Sequence, residues 1–320
     1  MRAMSAPGRA AVCGTVLALT AIAAAALAPY LSAEIQLRQH GALIGPAPHL
    51  PVQGRWFDDY FLIEQIDADT VAIGEPRYYQ GNYSYLIMGA KRALLFDAGT
   101  GNRDIVAVVR SITPLPVTVM PSHLHFDHVG ALGRFDRTAL IDAGSLRART
   151  HDGKLELQRY EFLGLADSLP VPGFRVDEWW PAGTSIDLGG RRLRVLSTPG
   201  HTPTSAALYD ADRRQLFAGD FIYPGGLYAF LPGASRNAYL ATTRQLLAML
   251  DPVTRIYCAH MADAPDAVAA PVLGVADLHA LETTLIGIAR GDMAATGFYP
   301  RIFPVRGPIS FETGFAWNNR

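Results

Sequence analysis

Hydrophobic positions along the chain fall into short runs separated by turn and charged residues. Four of them, Tyr60-Phe61-Leu62-Ile63, Thr70-Val71-Ala72-Ile73, Tyr83-Ser84-Tyr85-Leu86-Ile87 and Ala93-Leu94-Leu95-Phe96, follow one another closely. Runs of this length bounded by turn residues predict the strands of one sheet. Asn102 to Ile112 then places Ile105, Val108, Val109 and Ile112 at helical spacing, and Val117-Thr118-Val119-Met120 predicts a further strand. The second half repeats the logic. Arg192 to Leu196, Ser205 to Tyr209, Gln215 to Ala218 and Arg255 to Cys258 read as strands, Tyr239 to Leu250 as an amphipathic helix and Asp277 to Arg290 as a terminal helix. Two sheets, each with helices on its outer side, bury these strands in a four-layer α/β body. No linker-like stretch divides it and no short-period repeat appears. The domain is expected over residues 55–297, and the aromatic-rich residues 298–320 form a tail of the same domain with no assigned element.

The N-terminal pattern is different. Arg2 and Arg9 precede an uncharged, alanine-dominated run from Ala10 to Ala28, followed by Pro29-Tyr30-Leu31-Ser32-Ala33. This is the layout of a secretory signal. Pro29 after Ala28, and Leu31 before Ala33, do not favour cleavage, so residues 1–33 are expected to be either a signal peptide or an uncleaved membrane anchor. With arginines before the run and the bulk of the chain after it, both readings export the domain to the periplasm or tether it to the outer face of the cytoplasmic membrane. Residues 34–54, rich in proline, glycine and histidine, read as a linker.

Composition narrows the class. Hydrophobic residues make up 49% and charged residues 18%, with a formal net charge of −1. That describes a globular body and excludes a disordered or nucleic-acid-coating chain. Only Cys13 and Cys258 are present, which excludes a disulfide framework.

The chemistry concentrates in His123-Leu124-His125-Phe126-Asp127-His128, directly after a predicted strand. In extended chain, residues two apart project from the same side, so His123 and His125 can face one ion while Leu124 turns into the core. Asp127 and His128 can then face a second. Four ligands do not complete two sites, and the chain offers more at other strand ends: His201 in Thr198-Pro199-Gly200-His201-Thr202, Asp220 after Ala218-Gly219, and His260 after Ala259. Five of the nine histidines fall at such positions. Any one of them alone reads as a satisfied core residue. Crowded together without a cation, these groups would cost several kcal/mol in desolvation and repulsion. Nitrogen and carboxylate donors in this mixture suit zinc and tolerate iron or manganese.

These motifs, together with Phe96-Asp97-Ala98-Gly99-Thr100-Gly101, resemble those of the metallo-β-lactamase superfamily over roughly Gly54 to Arg290. The resemblance implies an αββα sandwich holding two Zn2+ ions. It implies that His123, His125 and His201 hold one metal, that Asp127, His128 and His260 hold the other, and that Asp220 bridges them. Cys258-Ala259-His260 lacks the glycine often found before the last histidine. A metal-bridging hydroxide would be the nucleophile, oriented by Asp127, with Tyr223 either donating to the developing oxyanion or packed at the rim.

Aspartate at position 220 is typical of the branches resembling glyoxalase II and acyl-homoserine lactonases. Gly81-Asn82, Phe126 through Leu132 with Phe135-Asp136-Arg137, and Tyr223 through Pro232 are similar to the metallo-β-lactamase-domain acyl-coenzyme-A thioesterases. The expectation is cleavage of a small-molecule ester or thioester, or of a lactone. Export conflicts with coenzyme A as the leaving group, so that group stays open. β-Lactam hydrolysis and mononuclear-iron persulfide dioxygenase-like chemistry are the alternatives on this scaffold. Trp179, Trp180 and Phe230 read as core rather than substrate wall.

Overall fold

A computed structural model describes residues 43–164 and 169–314. The signal or anchor expected over residues 1–33 lies outside the described residues, as do the first part of the expected linker and the end of the tail, Trp317 included. No helix among the described residues is long and apolar enough to cross a membrane.

The first sheet runs in sequence order through β1 (Arg55–Trp56), β2 (Leu62–Asp67), β3 (Thr70–Glu75), β4 (Asn82–Met88), β5 (Ala93–Phe96) and β6 (Val117–Met120). All its pairings are antiparallel except β5 with β6, which α1 (Ile105–Ile112) connects. Asp104 caps α1 by accepting from the Val106 N–H, and Ile105, Val108 and Val109 carry its apolar face into the core.

Short elements follow: α2 (Phe126–Val129), β7 (Ala139–Ile141), α3 (Gly144–Arg147), β8 (Thr150–His151), β9 (Lys154–Leu155), α4 (Arg159–Phe162) and β10 (Glu178–Trp180). The second sheet then runs β11 (Ser185–Asp187), β12 (Arg192–Ser197), β13 (Ala206–Asp210), β14 (Gln215–Phe217), β16 (Arg255–Tyr257) and β17 (Val272–Gly274). Its strands alternate cleanly. Leu193, Val195, Leu208, Phe217 and Tyr257 join the core that also contains the first sheet. Leu196, Ala207, Leu216 and Ile256 join a second core with Tyr239 and Leu246 of α5 (Arg236–Met249) and Leu278, Leu281 and Leu285 of α6 (Val275–Arg290). That period of two defines a sheet covered on both faces. Between the sheets, Tyr85 of β4 meets Phe217 and Tyr257 at ring-centroid distances of 5.3 and 5.6 Å, and its hydroxyl donates to the Cys258 carbonyl at 2.6 Å. The result is the αββα sandwich expected from the sequence.

Besides β1, the short elements from α2 to β11 and the strand β17, two further regions carry structure the hydrophobic pattern did not assign. In the tail, β18 (Arg301–Arg306) and β19 (Ile309–Thr313) form a hairpin, and β19 pairs in parallel with β15 (Gly226–Ala229), just beyond Asp220. In the expected linker, Gly45 N–H donates to the Arg77 carbonyl and Gln53 N–H to the Val268 carbonyl, so this described part lies against the body.

Candidate metal centre

Each expected ligand follows the C-terminal end of a strand. Pro121-Ser122 leads from β6 to His123, and His125 is the N-cap of α2, which carries Asp127 and His128. His201 follows β12, Asp220 follows β14 and His260 follows β16. Because β14 and β16 are parallel, with Phe217 opposite Tyr257, Asp220 and His260 emerge at the same edge. Gly219 makes the turn into Asp220 at φ +54°, and a Cβ there would sit 2.4 Å from that of Ser122. Leu124 points into the core between its two histidine neighbours.

Two sets of ligand atoms gather, His123, His125, His201 and Asp220 in one and Asp127, His128 and His260 in the other, each set within 4.8 Å. In the first, Nδ1 of His125 lies 2.8 Å from Nε2 of His123 and 3.0 Å from Nε2 of His201. Asp220 Oδ2 is 3.9 Å from His123 Nε2 and 3.5 Å from His201 Nε2. The other oxygen, Oδ1, lies 3.2 Å from His128 Nε2 and 3.1 Å from His260 Nε2. Asp220 therefore spans the two sets. Asp127 closes the second, with Oδ1 3.6 Å from His128 Nε2 and Oδ2 3.6 Å from His260 Nε2.

Burial pushes the imidazoles of His123, His125 and His201 below their ordinary pKa, leaving them neutral. Burial opposes charge on His128 and His260 as well, but the nearby carboxylates, Asp220 foremost, outweigh it and push both above the ordinary imidazole pKa. Burial would raise Asp220, yet His260 and His128 reverse this and keep it ionised. The two rings compensate the charge of Asp220, a part that a bound cation would take over while freeing both nitrogens as donors. His128 Nε2 and Asp220 Oδ1 are buried and have no hydrogen-bond partner despite facing one another. Imidazole nitrogens, carboxylate oxygens and orphaned buried atoms gathered in two clusters are a donor set that fits two divalent cations.

A supporting layer surrounds this set. Asp97, at φ +66°, accepts from the Ser122 N–H at 2.6 Å and holds Oδ2 3.0 Å from Nδ1 of His128. Ser122 Oγ lies 2.9 Å from Nδ1 of His123. Such partners fix ring orientation in metal sites. The loop bearing Asp97 is itself fixed by buried Glu75, which accepts from the Thr100 N–H at 3.0 Å, the Thr100 hydroxyl at 2.6 Å and the Tyr60 hydroxyl at 2.8 Å. A Cβ on Gly99, at φ +66°, would lie 2.0 Å from Glu75 Oε1, so only glycine fits.

Two residues that sequence reasoning gave no role act on Asp127. The Tyr78 hydroxyl donates to Asp127 Oδ2 at 3.2 Å, and Asn82 Nδ2 donates to the Asp127 carbonyl at 2.5 Å. Gly81-Asn82 stood out in the sequence; Tyr78 carried no signal, since its partner is 49 residues away. Tyr223 sits beside His260, with ring centroids 5.2 Å apart, but its hydroxyl donates to the Gly226 carbonyl. In this arrangement its one proton is committed, and an oxyanion role would require that bond to exchange.

A cavity of about 350 Å³ is lined by His125 together with Leu124, Pro203, Pro232, Ser145 and Tyr160. Trp180 and Phe230 are buried in the cores, and Trp179 packs under the Arg147 guanidinium at 4.9 Å. None of the three lines this cavity.

A family model described as the metallo-beta-lactamase superfamily matches residues 78–260. The chain is 32% identical over 207 residues to the acyl-coenzyme A thioesterase MBLAC2 of Homo sapiens, covering 56% of this chain and 72% of that protein. It is 29% identical over 185 residues to a hydroxyacylglutathione hydrolase of Aeromonas hydrophila, covering 57% of this chain and 62% of the relative. Among solved structures, a metallo-beta-lactamase from Pontibacter korlensis superposes with a TM-score of 0.52 at 16% identity, over 71% of this chain and 99% of that one. At that identity the likeness shows a shared fold.

Proposed function

The chain belongs to the metallo-β-lactamase superfamily, and from that membership we propose that it hydrolyses an ester or thioester bond, lactones included, at a dinuclear zinc centre. The observation that carries the reading is the position of Asp220, whose two oxygens face the two sets of imidazoles at 3.1 to 3.9 Å. His123, His125 and His201 would hold one ion, Asp127, His128 and His260 the other, with Asp220 between them. Ions held there would polarise a carbonyl and bring the pKa of a bound water toward neutrality.

The chain's own groups do the rest. Asp127, anchored by Tyr78 and Asn82, is placed to orient the attacking water and accept its proton. Asp97 and Ser122 hold the rings of His128 and His123 in their donor orientations. Ester and thioester substrates are supported by aspartate at position 220 and by the thioesterase and hydroxyacylglutathione hydrolase names of relatives. We further propose export, on the strength of Arg2, Arg9 and the apolar run to Ala28.

The test is a panel of aryl esters, thioesters, lactones and nitrocefin, assayed with and without chelator alongside metal analysis. Chelator-sensitive ester or thioester turnover with two zinc ions per chain is expected. One iron per chain with oxygen consumption, or turnover of nitrocefin alone, would overturn the reading. Fractionation of the full chain in a bacterial host checks export, and a cytoplasmic location would refute it.

A further inference from the structure

The cavity beside His125 has a charge pattern that selects its occupant. Hydrocarbon from Leu124, Pro203 and Pro232 lines it, together with uncharged polar side chains such as Ser145, Thr202 and Thr204. Among the described lining residues other than His125, the charged side chains are Arg149 and Glu161. They neutralise one another: Arg149 Nη1 and Nη2 donate to Glu161 Oε2 and Oε1 at 2.8 and 2.6 Å. Two of the guanidinium's three remaining N–H groups go to the backbone, from Nη1 to the Glu156 carbonyl at 2.8 Å and from Nε to the Ser145 carbonyl at 3.2 Å. Glu161 also accepts from the Gln158 N–H at 3.1 Å. A fork-to-fork pair with this many additional bonds offers no net charge to a ligand, and opening it would leave two half-buried ions unmatched.

We propose that this cavity is a subsite for the uncharged, apolar chain of the substrate, and that it rejects chains ending in a carboxylate or phosphate. The proposal rests on the hydrolase reading for its reaction and on the cavity walls alone for its selectivity. A volume of about 350 Å³ lies in the range of small-molecule sites. His125 lines the cavity and belongs to the first set of candidate ligands, so a chain seated there lies next to that set. Such a chain could be carried on the acyl side or the leaving side of the scissile bond, and two substrate series separate these sources.

In one series the acyl chain of 4-nitrophenyl esters grows from acetyl to decanoyl; in the other the alcohol of alkyl acetates grows over the same range. Each methylene seated in the cavity should raise kcat/KM about fourfold until the cavity is full, in one series and not in the other. A terminal carboxylate, as in a monosuberoyl ester, should lose that gain. The variants Ser145→Phe and Thr204→Phe, each of which adds a ring to the lining, should move the optimum to shorter chains. Binding is read separately: calorimetry on the metal-loaded wild type should show octanamide binding at least tenfold more tightly than butanamide, with the preference lost in both variants.

Octanamide selectivity without turnover of any ester would sink the hydrolase reading and leave the subsite standing. Turnover with flat profiles in both series and no octanamide preference would overturn the subsite and leave the hydrolase reading standing. Tighter binding of the carboxylate-ended chain would likewise overturn the subsite.

Discussion

Removing one oxygen atom from Tyr78 isolates what its hydrogen bond does for Asp127. The hydroxyl lies 3.2 Å from Asp127 Oδ2 and 3.1 Å from Gln80 Oε1, so one proton serves two acceptors. A hydrogen bond to a charged group contributes about 1.5–3 kcal/mol, and the length and sharing here argue for the lower end. About 1.5 kcal/mol lost in the transition state is roughly a tenfold fall in kcat. The ring of Tyr78 packs edge-on against Tyr79 at 4.7 Å and Phe126 at 6.1 Å, contacts that phenylalanine keeps. Tyr78→Phe should therefore fold normally and retain its metal. Steady-state kinetics, metal analysis and thermal unfolding on the same preparation decide the matter. A tenfold lower kcat at unchanged KM, metal content and Tm is the expected pattern, because Asp127 would keep its place in the second cluster but no longer be held in one orientation. Unchanged kcat would refute a positioning role, and loss of metal would show that the hydroxyl acts on assembly of the centre instead.

Asp220→Ala removes the group shared by both sets of ligands, so metal content should fall well below two ions per chain by elemental analysis, and a fully loaded variant would remove Asp220 from the centre. Arg191→Met should cost about 3–5 kcal/mol in denaturant unfolding, because Arg191 ties buried Asp210 at 2.8 Å to the Asp69 carbonyl of the first sheet at 2.8 Å; adding Asp210→Leu should recover much of that loss. Burial and the charge of Asp263 push the Glu312 carboxyl up to about 7. Its protonated form is thus favoured by the fold, the stability it contributes is complete below its unfolded pKa, and that stability is lost as pH rises through about 7. Glu312→Gln should then raise Tm at pH 8 and leave it unchanged at pH 4, as differential scanning fluorimetry would show; a pH-independent difference would refute the linkage.

What the sequence made legible follows from how local each determinant is. The strands Ala93–Phe96 and Val117–Met120 were readable to the residue, because a buried parallel pair is a short unbroken apolar run. α1 was readable from Ile105, Val108 and Val109, although its start moved to the Asp104 cap. The expected ligand positions each lie at the end of such a run, and the structure gathers them into two clusters. The hairpin at Arg301–Thr313 was not, since Pro304 and the bulge beside it interrupt the alternation, and its partner β15 is some 80 residues away. The same distance problem hid Tyr78 and Glu75, whose partners lie 49 and 25 residues away. Motifs at strand ends name the atoms that can hold ions; walls and supports are assembled from residues whose types are ordinary. A sequence of this family therefore discloses its reacting centre more readily than its substrate, and it is in the cavity wall beside His125, not in the histidines, that the two kinds of information have to be joined.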